Sequence, residues 1–169
     1  MLLTKIARLS KTQLYTMADA NTIDKIIALD PCLKYKYKGC FSCDNFPSSG
    51  YNNSFSIINT APKNHQGEHW VLIAGKRGQV VFYDSFGRHF PTYFPNIFER
   101  VDAGDKQLIQ LFPTTSFVQH PDSYLCGIYC VFVAHHIYNR SLASFPHFAT
   151  EQDIINFWTN NFTVTRELL

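Results

Sequence analysis

The sequence of 169 residues is poor in charge and contains no hydrophobic run long enough to cross a membrane. Its most apolar run, Tyr124–Ala134, is far shorter than the ~20 residues that a membrane-spanning helix needs. Only 17% of the residues are charged and the net charge is +2, which indicates neither a disordered chain nor, by itself, a nucleic-acid-binding one. The N-terminal residues lack the order of a secretory signal, so we expect that the protein is not secreted.

The five cysteines form neither a disulfide framework nor a complete zinc motif. An odd number of cysteines in a chain of this length fits a reducing compartment. Cys40 and Cys43 form one C-x-x-C pair, with Cys32 and His65 as the other conceivable ligands, but the second pair of a structural zinc site is missing. Glycine-rich phosphate-binding loops are missing too. We therefore predict that the protein holds no metal.

What the sequence does have is a hydrophobic fraction of 46%, enough for the core of one domain. We predict a basic N-terminal arm over residues 1–18 and one domain over residues 19–169. Strands are predicted over residues 54–59, 69–75, 79–84, 107–112 and 115–118. Helices are predicted over residues 22–30, 96–101, 124–139 and 151–159. This pattern predicts an α+β fold with a central, mostly antiparallel sheet flanked by helices.

The most informative segment is a predicted β-hairpin around Gly75–Gly78. If the two central residues of that segment form the loop, His69 lies directly opposite Asp84 on one face, with Cβ atoms ~4.5–5.5 Å apart. At that distance a carboxylate fixes the tautomer of an imidazole and stabilises its protonated form. A surface His–Asp pair at a strand end fits the same spacing, so both interpretations stay open on geometry alone.

Cys126 is predicted in the first turn of a helix that is apolar almost all round, after a capping Asp122 or Ser123. The helix dipole and the unpaired N–H groups of that turn favour a thiolate, which is the nucleophilic form of cysteine. Gln119, seven residues upstream, has a side-chain amide that can donate to an oxyanion beside the Cys126 backbone N–H. The alternative for an isolated cysteine is an ordinary buried core residue.

In chain order, these four residues resemble the catalytic set of the adenain family, the adenovirus-type cysteine endopeptidases, whose clan includes the SUMO-specific proteases. The likeness lies in Ile57–Ala61 with Gly67–Trp70, in Phe82–Gly87 and in Val118–Cys130, and more weakly in Lys38–Pro47. It implies the adenain-like protease fold, with the nucleophile at the N-terminus of a buried helix. It also implies that His69, Asp84 and Cys126 are catalytic, that Gln119 holds the oxyanion, and that Trp70 binds substrate beside them.

The resemblance further implies a viral maturation enzyme that cleaves structural precursor proteins after small residues, typically glycine. It implies a monomer that acts in the virion and in the host nucleus or cytoplasm. Its chemistry needs no cofactor, although adenain is activated by DNA and by a viral peptide. Two alternatives stay open: a protease of SUMO or ubiquitin-like modifiers, and an inactive module that binds DNA or capsid.

The sequence departs from adenain at two informative places. Asp84 stands where adenain has glutamate, an exchange that other members of the clan also show. The segment 105–117 lacks the cysteine through which the activating peptide of adenain forms a disulfide. We therefore expect that activation by DNA or by a viral peptide is non-covalent. Lys34, Lys36 and Lys38, with the N-terminal arm, are the candidates for phosphate contacts, unless they only protect an edge strand.

Overall fold

The computed structural model describes residues 18–88, 101, 103–113 and 118–139. The strands β1 to β5 are Tyr37–Ser42, Phe55–Asn59, Trp70–Lys76, Gln79–Tyr83 and Gln107–Leu111, and the helices α1 and α2 are Ala20–Ala28 and Cys126–Asn139. The helix predicted over 151–159 lies outside the described residues. Nearly all of the basic arm, of the helix predicted over 96–101 and of the strand predicted over 115–118 also lies outside the described residues. Neither described helix is long and apolar enough to span a membrane.

The five strands form one mixed sheet in the order β1-β2-β3-β4-β5. The central strands β2, β3 and β4 pair antiparallel, whereas β1 pairs parallel to β2 and β5 parallel to β4. The predicted α+β class is confirmed, but the antiparallel order is limited to the centre. Parallel neighbours need a crossover of about a dozen residues or more, and the connections 43–54 and 84–106 are long enough to provide it.

The β3–β4 hairpin turns one residue later than the sequence analysis predicted. Its loop is Arg77 and Gly78, whose φ angles of 49° and 77° both lie in the left-handed region that a type I′ turn requires. Lys76 therefore pairs with Gln79, and Leu72 pairs with Tyr83. The predicted register, with His69 directly opposite Asp84, is wrong by two residues. Because side chains alternate with a period of two, the error leaves every side chain on its predicted face.

Both faces of the sheet are covered. On one face Leu72 and Ala74 of β3 belong to a core that includes the buried sides of α1 and α2. On the other face Val71 and Ile73 pack with side chains that include Phe46, from the connection between β1 and β2. Helix α2 is buried almost all round, as its apolar sequence predicts. Its first residue therefore has a fixed position relative to β3.

Helix α1 begins two residues earlier than predicted, because Asp19 caps it. The Asp19 carboxylate accepts a hydrogen bond from the Thr22 backbone N–H at 2.7 Å. The apolar stripe Ile23, Ile26 and Ile27 is buried against the sheet and α2, as its helical spacing predicts. The helix thus fixes the chain that leads from the N-terminal segment into the domain.

We expect Gly75→Ala to destabilise the protein strongly, because the backbone of Tyr51 passes directly beside Gly75. A Cβ atom at this position would lie 1.8 Å from the Tyr51 carbonyl oxygen, so the backbone would have to move. The expected loss in the free energy of unfolding is at least about 2 kcal/mol. Gly104→Ala is the control, because a Cβ there meets open space and only the positive φ of 58° opposes it, at about 1 kcal/mol. Equal losses in urea unfolding would contradict the close approach.

Candidate active site

His69 and Asp84 meet at one end of the β3–β4 hairpin. His69 directly precedes β3 and Asp84 directly follows β4. The Nε2 atom of His69 lies 2.6 Å from Oδ1 of Asp84, and the two residues are only 6% and 1% exposed. The carboxylate also accepts the backbone N–H of Phe86 at 3.0 Å and that of Arg88 at 3.2 Å. Asp84 is therefore held by its own turn while it orients the imidazole.

Phe86 covers the His69 ring, a contact that the sequence analysis missed. The last paired residues of the hairpin are Leu72 and Tyr83. If the same register is extended past them, His69 lies opposite Phe86 and not opposite Asp84. The chain turns at that point, with the Gly87 N–H bonded to the Asp84 carbonyl at 2.9 Å. The rings of His69 and Phe86 then stack with centroids 4.5 Å apart and planes inclined by 26°. If the loop had been predicted at Arg77 and Gly78, the sequence alone would have indicated Phe86 as the residue opposite His69.

The surroundings of His69 favour its protonated form. Burial lowers the pKa of His69, but the hydrogen bonds with Asp84 and with the Cys126 side chain, and the charges of both groups, raise it to about 9. Asp84 and Cys126 therefore both lie within reach of one imidazole. Such an arrangement can move a proton between a sulfur atom and a third group at neutral pH.

Cys126 is the first residue of α2 and is buried. Of the two predicted caps, Ser123 contacts the helix entrance, where its hydroxyl accepts the Leu125 N–H at 3.3 Å. The next residue, Gly127, lets two other elements approach the start of α2. A Cβ on Gly127 would lie 2.9 Å from Ile23 Cδ1 and 3.2 Å from Trp70 Cδ1. The sulfur-bearing turn is thus packed against α1 and β3.

Gln119 is buried, and its amide is held at both ends. Its Oε1 accepts the Ser85 hydroxyl at 2.5 Å, and its Nε2 donates to the Ser123 carbonyl at 2.6 Å. The Gln119 backbone N–H also donates to the Ser85 carbonyl at 2.8 Å. A primary amide has two N–H groups, so, as far as the described residues show, one remains for a further acceptor. The contact of Ser85 with Gln119 was not predicted from the sequence. The available signal was the position of Ser85 directly after Asp84, at the end of a predicted strand.

Trp70, the predicted substrate contact, is buried at the start of β3. Its indole N–H donates to the Ala18 carbonyl at 2.8 Å. The same side chain lines a cleft of about 470 Å³ between the start of α1, the end of β1 and the segment that leads to His69. Trp70 therefore belongs both to the support of α2 and to the wall of a cleft. A contact with substrate stays a prediction.

The candidate basic residues lie near the start of β1, which is an edge strand of the described sheet. Lys38 lies within β1, whereas Lys34 and Lys36 lie in the turns before it. The ammonium groups of Lys36 and Lys38 stand 5.4 Å and 5.1 Å from the ring centroids of Tyr138 and Tyr51. This edge position fits the protective interpretation of the lysines, and DNA binding stays a prediction.

Comparison with known proteins identifies the fold. No family model matches the chain, and no curated protein matches its sequence. A solved structure of ASFV pS273R protease matches with a TM-score of 0.56 at 17% identity, and one of its selenomethionine form with 0.58 at 16% identity. Each match covers 86% of this chain and 67% of the neighbour. These neighbours are cysteine proteases of the SUMO-protease-like clan, and the chain has their α+β fold. Kinship with adenain in particular stays a prediction.

We expect the stability of the protein to fall between pH 6.5 and about 9 through the titration of His69. The pKa of His69 is raised in the folded state, so its contribution is complete below pH 6.5 and is lost as the pH rises through about 9. The expected change in the free energy of unfolding is about 3 kcal/mol. Chemical unfolding at a series of pH values measures it, and NMR titration of the imidazole gives the pKa directly.

Asp84→Asn should flatten this pH dependence and lower the pKa of His69, since burial then opposes the charged form with one partner fewer. His120→Gln is the control, because His120 is exposed and pairs with the exposed Asp122 at 3.7 Å. An unchanged slope in Asp84→Asn would show that the carboxylate does not stabilise the imidazolium.

Proposed function

We propose that the chain is a cysteine endopeptidase of the adenain type that processes viral structural precursor proteins. The observation that supports this proposal best is the buried His69–Asp84 pair at 2.6 Å, with the Cys126 side chain as the other partner of the imidazole. The fold shared with a protease at low identity supports the same class of reaction. Catalytic roles are therefore assigned to His69, Asp84, Gln119 and Cys126.

In the proposed reaction His69 takes the proton of the Cys126 thiol, which gives a thiolate–imidazolium pair before the substrate is attacked. Asp84 holds the imidazole and stabilises its positive charge. The Cys126 thiolate attacks the scissile carbonyl, and the second N–H of the Gln119 amide, together with the Cys126 backbone N–H, binds the oxyanion. His69 then gives its proton to the leaving amine, and water hydrolyses the thioester with His69 as the base.

We propose cleavage after small residues, typically glycine, as the resemblance to adenain implies. The crowding of the site supports this choice, because Phe86 stacks on His69 and Trp70 packs beside Gly127. A protease of SUMO or ubiquitin-like modifiers would use the same four residues on a folded substrate with a glycine tail. The structural neighbours belong to the clan of such proteases, which supports this second candidate. Modifier-linked substrates are therefore included in every assay.

The proposed enzyme needs no cofactor for its chemistry, acts as a monomer, and works in the virion and in the host nucleus or cytoplasm. Activation by DNA or by a viral peptide is proposed to be non-covalent, since the sequence 105–117 contains no cysteine. Such activation by DNA would depend on phosphate contacts and would weaken steeply with salt.

Cys126→Ala should abolish peptide hydrolysis, because it removes the nucleophile. Cys130→Ala is the matched control in the same helix: its thiol is buried, donates weakly to the Trp70 carbonyl at 3.5 Å, and has a pKa raised well above the usual range by burial. That control should keep most of its activity. The assay compares glycine-containing viral-type peptides, capsid precursors and modifier-linked fluorogenic substrates. Activity retained in Cys126→Ala would refute the cysteine-protease proposal, and cleavage of modifier conjugates alone would favour the second candidate.

Gln119→Ala should lower kcat by about 10²–10³-fold with little change in KM, as expected when an oxyanion donor is lost. Ser85→Ala should lower kcat by a smaller factor, because the amide of Gln119 keeps its N–H groups but loses the donor to its Oε1. Ser56→Ala controls for the removal of a buried hydroxyl elsewhere in the sheet, where Ser56 contacts Tyr51 at 3.1 Å. Equal kcat values in Ser85→Ala and Ser56→Ala would exclude a positioning role for Ser85.

A further inference from the structure

Three side chains with different donor atoms meet where the turn after α1 packs against α2. Asp30 and Cys32 lie in that turn, and His135 lies within α2. One carboxylate oxygen, the thiol sulfur and one ring nitrogen all lie within 4.8 Å of one another. His135 follows Cys126 by nine residues, or about 14 Å along the helix, so the cluster is separate from the candidate active site. We propose that this cluster binds a transition-metal dication, with Zn²⁺ as the preferred ion.

The donor set matches zinc better than magnesium or calcium. Zinc takes thiolate sulfur, imidazole nitrogen and carboxylate oxygen, whereas magnesium and calcium are bound mainly by oxygen. A thiolate and a carboxylate also supply two negative charges to a dication. With three protein ligands the site keeps a position for water, so we expect weaker binding than in a structural site with four protein ligands.

The cluster differs from the zinc candidate considered from the sequence. That candidate combined Cys32 with Cys40, Cys43 and His65. In the structure the Cys40 sulfur instead accepts the Tyr37 hydroxyl at 2.9 Å. Among the described residues, Cys32 is the cysteine whose sulfur lies within 4.8 Å of both a histidine nitrogen and a carboxylate oxygen that are also that close to each other. The ligands come from residues 30, 32 and 135, a spacing that no local zinc motif shows.

The ligands are already oriented by contacts outside the cluster, as metal ligands usually are. The Asp30 Oδ2 atom lies 2.6 Å from His135 Nδ1, so these two donor atoms face each other, and the Cys32 sulfur lies within 4.8 Å of the pair. The other oxygen, Oδ1, accepts the backbone N–H groups of Cys32 and Leu33 at 2.8 Å and 3.2 Å. The side chain of Asn139 contacts Nε2 of His135, which leaves Nδ1 to face the carboxylate. An ion would take the place of the hydrogen bond between Nδ1 and Oδ2, and the proton of the neutral imidazole would then lie on Nε2, beside the Asn139 side chain.

Binding has a defined proton balance. Burial and the Asp30 charge raise the pKa of Cys32, while Lys36 and Lys76 lower it. The thiol gives its proton to solvent when the metal–sulfur bond forms. The two lysines oppose a dication electrostatically, which again predicts an affinity below that of a closed four-ligand site.

The ion would connect the end of α1 to the helix that carries Cys126. Helix α1 already contacts the start of α2 through Ile23, beside Gly127. A second connection near His135 would fix α1 against α2 at two points. The expected effect is a higher Tm, because an ion that binds only the folded chain stabilises it.

The test uses the full chain with Cys126→Ala, so that the catalytic sulfur cannot bind the metal. Calorimetric titration with Zn²⁺ should show one ion bound per chain, Co²⁺ should give thiolate-to-metal charge-transfer absorption, and Zn²⁺ should raise Tm, whereas Mg²⁺ should not. Adding Cys32→Ser should weaken Zn²⁺ binding at least about tenfold and remove the charge-transfer band. Adding His135→Gln should weaken binding as well, which guards against a folding defect in one variant.

Cys40→Ser is the control, because Cys40 is a half-buried cysteine outside the cluster, and it should leave Zn²⁺ binding unchanged. Tm values measured without metal show whether each variant is folded. The proposal is overturned if Zn²⁺ does not bind, or if folded Cys32→Ser and His135→Gln variants bind it as tightly as the parent. None of these measurements depends on peptidase activity.

Discussion

The arrangement of the candidate active site depends on the hydrogen bond between His69 and Asp84. Both side chains are almost fully buried, and an imidazolium removed from water is stable only beside a charge or a set of acceptors. The neighbouring turn meets this condition, since Phe86 and Arg88 direct their N–H groups to the same carboxylate. The end of the β3–β4 hairpin must therefore be rigid for the pair to exist.

That rigidity has its origin in the layers on either side of the sheet. Alternate residues of β3 are buried on both faces, so the strand cannot slide without exposing apolar side chains. Trp70, next to His69, lies within the core that contains α2, and its indole N–H donates a hydrogen bond to the Ala18 carbonyl. The imidazole and the sulfur atom thus belong to two elements that share one core. Their separation is fixed by packing and does not need the hydrogen bond between them.

The sequence predicts well what depends on local pattern and poorly what depends on long connections. The hairpin, the apolar helix of Cys126 and the shared face of His69 and Asp84 follow from periodicity. The register was wrong because Gly78 favours the second loop position, which moves the turn by one residue. The parallel outer strands depend on crossovers, which have no periodic signal. The contact of Ser85 with Gln119 joins residues that are distant in sequence, as does the cluster of Asp30, Cys32 and His135.

The short segment that follows β4 has contacts with both His69 and Gln119. Asp84 and Ser85 are neighbours in the chain, and the first holds the imidazole while the second holds the amide. The backbone of Ser85 also accepts the Gln119 N–H, so the strand end and the segment before α2 are connected by main chain as well as side chain. A shift of the turn after β4 would displace the imidazole of His69 and the amide of Gln119 together. The proposed proton transfer and the proposed oxyanion site therefore depend on the same few residues, and a change in that turn would affect both.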